Sequence, residues 1–295
     1  MKIRMFCRND YANMMFGVCK ALKLQGLDSE CYVTEVHPFG YSEQATHVSY
    51  GQMKELAKDA DVIHIFHSDN HVIPHIQGDW KGRKLFVWHT GTPYRINSRF
   101  HDNFWKGYKV ITDQAEFIAG GLRADFIPAG VDFEALGQVK EEVRYKFAHC
   151  PSNQEVKGTV EIRRIADSCK VPIHIDVKLL PSVENIKRMA ACEVYVELFA
   201  PTNLNKPYGH WGVAAMEAAA LGRIVITNEV SEVYKRFYGE SFVYAANNEH
   251  HFAAILQIFN GMPKEELAER QYDTWAIANK NHNYKAVAER VMNGL

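Results

Sequence analysis

One segment, from Tyr208 to Thr227, combines small residues, glycines and a single acid. It reads as a turn at Gly212, an alanine-rich helix carrying Glu217, a glycine stop at Gly222 and a buried strand. Small residues let another group approach the helix backbone, and a helix N-terminus offers N–H groups to an anion such as a phosphate. A carboxylate can accept several hydrogen bonds from hydroxyl groups. The segment therefore predicts a nucleotide site.

A second candidate phosphate site follows a strand predicted over Tyr145–His149. Ser152 and Asn153 lie in the loop after this strand, and Lys157 and Gly158 precede a predicted helix. Ligands of doubly wound sheets bind at the carboxyl ends of the strands, so this loop is well placed. A lysine there could contact a phosphate, although a solvated loop lysine would give the same pattern.

Polar residues also follow predicted strands in the first half of the chain. The candidates for contact with a bound ligand are Arg8, Asn9, Asn13, His67, His89, Tyr94 and Arg95. An aromatic and basic cluster consists of Tyr94, Arg95, Arg99, Trp105 and Lys106, and such side chains can stack on sugars or bases and bind phosphate. The alternatives are an ordinary helix N-cap at Asp10 and a solvated loop face around Arg95.

Strand-like and helix-like runs alternate along almost the whole chain, which is typical of α/β proteins with parallel sheets. A polar stretch from Glu134 to Arg144 lacks clear periodicity and predicts a domain boundary. The expected division is an N-terminal Rossmann-like domain at 1–138 and a C-terminal Rossmann-like domain at 139–270. A last helix, 271–295, is expected to pack back on the N-terminal domain.

The composition is that of an ordinary soluble protein of 295 residues, with 47% hydrophobic and 23% charged residues. A formal net charge of −1 gives no global attraction to nucleic acid or anionic membranes. Scattered cysteines without CxxC pairs, no signal peptide and no apolar run of membrane-spanning length predict a cytoplasmic protein. No histidine pair, His250–His251 included, has a third ligand at suitable spacing, so no metal site is predicted.

Four segments resemble, in order, motifs of the retaining family 4-type glycosyltransferases. They are Trp88–Arg95, Ile127–Asp132, His149–Thr159 and Gly212–Thr227. The resemblance implies an α/β protein of the GT-B fold, in which two doubly wound Rossmann-like domains face a central cleft. The chain would be a short form, similar in its compactness to phage DNA-modifying glycosyltransferases.

The resemblance also implies roles for individual residues. Glu217 would accept hydrogen bonds from the donor ribose, Lys157 would contact the donor diphosphate, and His89 would contact the transferred sugar as the catalytic residue. The domain at 139–270 would bind the donor, and the domain at 1–138 would bind the acceptor. The acceptor-binding set would be Arg8, Asn9, Asn13, His67, Tyr94 and Arg95. The donor-binding set implied in this way is Ser152, Asn153, Lys157, Gly158, His210, Trp211, Gly212 and Glu217. No metal or tightly bound cofactor is implied, and the donor would be a UDP- or GDP-sugar.

Two positions depart from the family pattern. Gly209 stands where an acid is usual, eight residues before Glu217, and uncharged Ser152 stands near the position of an expected arginine. His210 could replace the acid, and Arg163, Arg164 or Lys206 could replace the missing cation. These departures keep open the alternative of a non-catalytic nucleotide-sugar-binding protein.

The predicted function is retaining, metal-independent transfer of a sugar from a nucleotide-diphospho-sugar to an acceptor hydroxyl. The acceptor is expected to be a saccharide, including a lipid-linked glycan, or a hydroxylated base in duplex DNA. A dehydrogenase is disfavoured because the turn after the first strand lacks the GxGxxG fingerprint of dinucleotide-binding proteins.

Overall fold

The computed structural model describes residues 1–76, 82–200, 211–228 and 232–294, together with the backbone at 202–203 and 206–207. The chain divides into two compact units. Unit 1 consists of Met1–Gly130 and Tyr284–Leu295, and unit 2 consists of Val131–Asn283. Each unit contains its own parallel sheet.

Unit 1 is built on a seven-stranded parallel sheet of order β3-β2-β1-β4-β5-β6-β7. Its strands are β1 Lys2–Asn9, β2 Asp28–Glu35, β3 Thr46–His47, β4 Val62–Ile65, β5 Lys84–Trp88, β6 Lys109–Thr112 and β7 Asp125–Phe126. Its first helices are α1 Met14–Leu24, α2 Tyr50–Lys58, α3 Ile73–Ile76, α4 Gly91–Ile96, α5 Ser98–Phe104 and α6 Ala115–Ala119. A 3₁₀ turn at Tyr11–Asn13 precedes α1.

Unit 2 is built on a five-stranded parallel sheet of order β14-β13-β10-β8-β9, with a short antiparallel pair, β11-β12, beside it. Its helices are α7 Phe133–Gly137, α8 Gln154–Lys157, α9 Thr159–Ser168, α10 Ser182–Ala190, α11 Val213–Ala220, α12 Glu232–Tyr238, α13 Glu249–Gly261 and α14 Lys264–His282. Its strands are β8 Tyr145–His149, β9 His174–Ile175, β10 Cys192–Val196, β11 Thr202–Asn203, β12 Lys206–Pro207, β13 Ile224–Thr227 and β14 Val243–Ala245. The last helix, α15 Tyr284–Gly294, belongs to unit 1 and packs on α1.

Apolar residues at helical spacing hold the helices on the sheets. In α9, Ile162 and Ile165 are buried on one face and join a core with Phe147 of β8 and Val194 of β10. Helix α11 instead is built mostly of alanine, so it can lie close to its neighbours α10 and α14. Burial on both sides explains why the central strands read as continuous apolar runs.

The α/β class with two doubly wound parallel sheets is confirmed, and several element limits are corrected. The strand predicted over Val194–Phe199 ends at Val196. The helix predicted from Tyr11 begins at Met14, after two residues of left-handed backbone. The stretch predicted as irregular contains α7, whose start is capped by the Asp132 side chain on the backbone N–H of Ala135 at 2.9 Å. No described helix has the length and apolarity needed to span a membrane.

Candidate functional site

The strand order of the second sheet reverses between β8 and β10, because β9 lies on one side of β8 and β10 lies on the other. Such a reversal is where doubly wound sheets bind ligands, at the carboxyl ends of the strands. Lys157 ends the short helix α8 that follows β8, and Glu197 is the first residue after β10. The fold therefore brings a predicted residue and an unpredicted one to the same edge.

Lys157 and Glu197 form an ion pair at this edge. The Glu197 side chain is fully buried, and that of Lys157 is 14% exposed. Glu197 Oε1 also accepts a hydrogen bond from the backbone N–H of Gly212 at 3.2 Å, so the carboxylate lies at the N-terminus of α11. The second oxygen, Oε2, is buried and has no hydrogen-bond partner among the described residues.

Two glycines make this close arrangement possible. A Cβ at Gly212 would lie 3.3 Å from both Glu197 Oε1 and Lys157 Nζ. Gly158 has a φ of +68°, and a Cβ there would lie 1.8 Å from the carbonyl oxygen of Phe199. A side chain at 158 would therefore clash with fixed backbone, and glycine is required to hold Lys157 against the end of β10.

A buried histidine links the ends of strands β8 and β10 near the Lys157–Glu197 ion pair. His149 Nδ1 lies 2.7 Å from the carbonyl oxygen of Val196, and Nε2 lies 2.9 Å from Thr159 Oγ1. Burial lowers the pKa of His149 to about 4, so the ring is neutral at pH 7. It links β8, β10 and the start of α9, which fixes the positions of Lys157 and Glu197.

Glu217 lies on α11 and is half-buried, with no ion pair or hydrogen bond to its carboxylate among the described residues. Burial raises the pKa of Glu217 to about 7. A carboxylate in this setting gains most from a ligand that donates hydrogen bonds to it. Trp211 is buried against Tyr234 and Phe242, so its ring anchors the start of the helix inside the unit.

The other predicted donor residues differ in what the structure shows for them. Asn153 caps α8, its Oδ1 accepting from the backbone N–H of Val156 at 3.0 Å. Ser152 is exposed in the same loop. His210 lies outside the described residues, as do Gly209 and the side chain of Lys206.

The first sheet also reverses its order, between β1 and β4, and strained backbone follows both strands. Ala12 and Asn13 have φ of 55° and 54°, and His67 and Ser68 have φ of 61° and 53°. Left-handed backbone at a residue other than glycine costs about 1–3 kcal/mol, and such strain concentrates at ligand sites. Its presence in two adjacent loops marks this edge as a second candidate site.

Asp10 and His67 form a hydrogen-bonded bridge between these two loops. His67 Nε2 lies 3.1 Å from Asp10 Oδ1, and His67 Nδ1 lies 2.6 Å from Thr90 Oγ1. The Asp10 oxygens also accept from the backbone N–H groups that open α1. With Cys7, these two residues are the one described group spaced for a metal. Their polar atoms already have protein partners, and burial raises the pKa of the Cys7 thiol, which disfavours the thiolate that metals require.

His89 directly follows β5 and is fully buried. Its Nδ1 lies 2.8 Å from Ser68 Oγ, and its ring stacks on Tyr94 with centroids 4.6 Å apart. Burial lowers the pKa of His89 to about 3, so the ring is neutral. Its Nε2 has no hydrogen-bond partner among the described residues.

A small pocket of about 120 Å³ lies at this edge of unit 1. Its lining includes Arg8, Asn9, His67 and Ser68. Asn9 Oδ1 is a buried acceptor without a partner in the described chain, and Asn13 donates from Nδ2 to the carbonyl of Glu43 at 2.8 Å. Arg8, Asn9 and His67 therefore line one pocket. The Asn13 amide instead donates its hydrogen bond to the loop that contains Glu43.

The aromatic and basic cluster is largely used inside unit 1. The Tyr94 ring is buried and its hydroxyl donates to Asp102 at 2.8 Å. Arg95 forms an ion pair with Glu116 and donates to Gln114 at 2.9 Å. The Tyr94 ring therefore packs against the His89 ring, and Arg95 holds the loop after β6 through its hydrogen bond to Gln114.

Two acids at strand ends, Glu197 and Asp113, were not predicted from the sequence. Asp113 follows β6, and its buried Oδ1 lacks a partner among the described residues. Burial raises the pKa of Asp113 to about 6. An acid directly after a run of strand-forming residues is the sequence pattern that could have identified both. For Glu197 the pattern was overlooked because the strand was predicted to continue to Phe199.

No protein-family model and no curated protein sequence matches the chain. Solved structures do. HepE of Anabaena in complex with UDP aligns over 100% of this chain and 99% of its own, with a TM-score of 0.66 and 13% identity. A glycosyltransferase of Rickettsia africae aligns over 99% and 96%, with a TM-score of 0.64 and 12% identity. AviGT4, a glycosyltransferase of avilamycin A biosynthesis, aligns over 99% and 96%, with a TM-score of 0.63 and 14% identity.

The last two of these neighbours are glycosyltransferases, HepE is known with bound UDP, and all three have the GT-B fold. The alignments extend over nearly the full length of each chain. The two parallel sheets of this protein correspond to that architecture. At such low identity the likeness concerns the fold. The chain has the GT-B fold.

Proposed function

We propose that this protein is a glycosyltransferase that uses a nucleotide-diphospho-sugar as donor. The observation that carries the proposal is the meeting of Lys157, Glu197 and the N-terminus of α11 where the second sheet reverses its order. A cation and free helix N–H groups suit a diphosphate, and the carboxylate of Glu217 suits ribose hydroxyls. UDP is the first nucleotide to test, because HepE is known in complexes with UDP and with UDP-glucose.

The reaction we propose retains the anomeric configuration and needs no metal. The bond between the anomeric carbon and the diphosphate oxygen breaks, and the acceptor oxygen bonds to the same carbon on the same face. The acceptor proton passes to an oxygen of the departing diphosphate. Lys157 and the α11 N–H groups stabilise the negative charge that develops on that group. His89, with its unpartnered Nε2, is the residue of unit 1 that we assign to a sugar hydroxyl.

The experiment that tests this function is release of nucleotide from a panel of UDP- and GDP-sugars mixed with saccharide and DNA acceptors. We expect release with at least one pair and a loss of at least about tenfold in Glu217→Ala, because a hydrogen bond to a charged group is removed. Unchanged release in the variant contradicts the ribose role. Binding of nucleotide-sugar without release, across all acceptors, favours the non-catalytic binding protein.

The acceptor is either a saccharide or a hydroxylated base in duplex DNA. Two cations of the aromatic and basic cluster, Arg99 and Lys106, are exposed and could contact a DNA phosphate. The third, Arg95, forms an ion pair with Glu116. DNA binding that weakens steeply between low salt and about 200 mM salt supports the DNA acceptor. Absence of duplex binding at low salt eliminates it in favour of a saccharide.

A further inference from the structure

Glu197 carries a buried oxygen that the protein leaves without a partner. Its side chain is fully buried, and Oε1 is satisfied by Lys157 and by the Gly212 N–H. Oε2 receives no hydrogen bond within the described part of the chain. An unpartnered buried carboxylate oxygen is costly, and a ligand that donates a hydrogen bond to it removes that cost.

The ion pair with Lys157 is compatible with binding of a diphosphate at the same place. A lysine ammonium has three N–H donors, so it can keep one on Glu197 Oε1 and direct another to a phosphate oxygen. Gly212, whose Cβ position lies 3.3 Å from both charged groups, leaves room beside them. Glu197 therefore fixes the ammonium without displacing the ligand.

The position of Glu197 identifies which part of the donor it meets. Glu217 lies five residues beyond Gly212 on the chain, or about 7.5 Å along a helix axis. A donor with its ribose at Glu217 and its diphosphate at Lys157 has its sugar, bonded to the second phosphate, as the hydroxyl-bearing group nearest Glu197. A carboxylate is an acceptor only, and the sugar hydroxyl is a donor of matching chemistry.

We infer that Glu197 is a sugar-recognition residue: its Oε2 accepts a hydrogen bond from a hydroxyl of the transferred sugar, while its Oε1 holds the Lys157 ammonium. This inference rests on the proposed function. It assigns to one carboxylate a specificity role, which concerns the sugar, and a positioning role, which concerns the diphosphate.

The test compares UDP with UDP-glucose by titration calorimetry in wild type, Glu197→Gln and the matched control Glu193→Gln, an acid at the other end of β10. In Glu197→Gln we expect UDP to bind about as tightly as in wild type, because the glutamine side-chain oxygen can still accept a hydrogen bond from the Lys157 ammonium. The affinity for UDP-glucose should fall by about 10- to 100-fold, the range expected for loss of a hydrogen bond to a charged group. The control variant should behave as wild type. If a thermal screen favours guanine, GDP and GDP-mannose replace this pair.

A series of deoxy sugars provides a second readout, and its first comparison uses wild type alone. Removing one particular hydroxyl from the donor sugar should weaken binding to wild type by the same factor and should leave binding to Glu197→Gln unchanged. Equal binding of all deoxy donors to wild type overturns the inference. Equal losses of affinity for UDP and UDP-glucose in Glu197→Gln also overturn the inference, since they indicate that Glu197 only positions Lys157. Failure of wild type to bind any nucleotide or nucleotide-sugar instead overturns the proposed function.

Discussion

Burial sets the protonation of the individual residues at both candidate sites. It lowers the pKa of His89 to about 3 and that of His149 to about 4, so both rings are neutral at pH 7. It raises the pKa of Glu217 to about 7. The histidines therefore act as fixed neutral hydrogen-bonding groups, and among the predicted donor-binding residues Glu217 is the one whose raised pKa lies near neutrality. A ligand that donates hydrogen bonds to Glu217 favours its ionised form.

The affinity for UDP-glucose should accordingly rise with pH between about 5.5 and 8. Binding to the carboxylate form of Glu217 requires loss of a proton below its pKa of about 7, and this requirement disappears above it. Calorimetric titration across this range measures the effect, and Glu217→Gln should remove the pH dependence. The nucleotide-sugar is the proper ligand because a free terminal phosphate itself titrates near about pH 6. A slope that persists in Glu217→Gln would assign the titration to another group.

The same residue should make the ligand-free protein less stable at alkaline pH. The pKa of Glu217 is raised from 4.5 to about 7 in the folded state, so ionisation is penalised there. The penalty is absent below about pH 4.5, grows as the pH rises through this interval and is complete above about pH 7. Glu217→Gln should therefore raise the unfolding free energy by about 1–3 kcal/mol at pH 8 and leave it nearly unchanged at pH 5. Urea unfolding at the two pH values tests this, and an equal effect at both would contradict it.

The candidate site of unit 2 depends on how the helices α8 and α9 join at Gly158. The glycine takes a left-handed backbone between the two helices and lies against the carbonyl of Phe199. This contact keeps Lys157 beside the end of β10. The arrangement needs both the left-handed backbone and the missing side chain.

Gly158→Ala should destabilise the protein by about 3 kcal/mol or more, because backbone strain adds to a clash with fixed backbone. Gly239→Ala is the matched control, since Gly239 also has a positive φ, of +76°, but a Cβ there meets nothing within 4 Å. The control should cost only the strain, about 1–2 kcal/mol. Thermal unfolding measures both, and equal losses would show that the approach to Phe199 is unimportant.

Sequence patterns predicted most elements of both sheets because buried parallel strands and amphipathic helices leave strong periodic signals. They predicted Glu217 because a lone acid among alanines is conspicuous. Glu197 was missed because its strand ends three residues earlier than predicted, and the apolar residues Leu198 and Phe199 after the acid made the strand look longer. The left-handed backbone at His67 and Ser68 also leaves no sequence signal, since tertiary hydrogen bonds such as that from Ser68 N–H to the Trp88 carbonyl hold it in place.

Helix α15, which follows unit 2 along the chain, is part of unit 1. Helix α15 buries Val287, Ala288 and Val291 and packs on α1. Just before it, unit 2 is closed by a bridge between Val131 and Asn283, its first and last residues. The chain therefore needs its last helix to complete the unit that its first residues begin.

Val287→Ala should lower the stability of unit 1 by about 2–3 kcal/mol, from lost burial and the cavity left behind. Hydrogen exchange should locate the loss in the amides of α1 and β1. The exposed residue Glu289 gives a control on the same helix, and Glu289→Ala should leave exchange unchanged. Faster exchange confined to unit 2 in Val287→Ala would contradict the role of α15.

We expect this GT-B chain to bind a nucleotide-diphospho-sugar through Lys157 and Glu217. Titration calorimetry of wild type and Glu217→Ala with UDP-glucose, GDP-mannose, ADP-glucose and NAD measures this binding. Wild type should bind at least one nucleotide-sugar and should not bind NAD, and Glu217→Ala should bind that nucleotide-sugar at least about tenfold more weakly. Binding of none of the nucleotide-sugars, or binding that is equally tight in the variant, would contradict it.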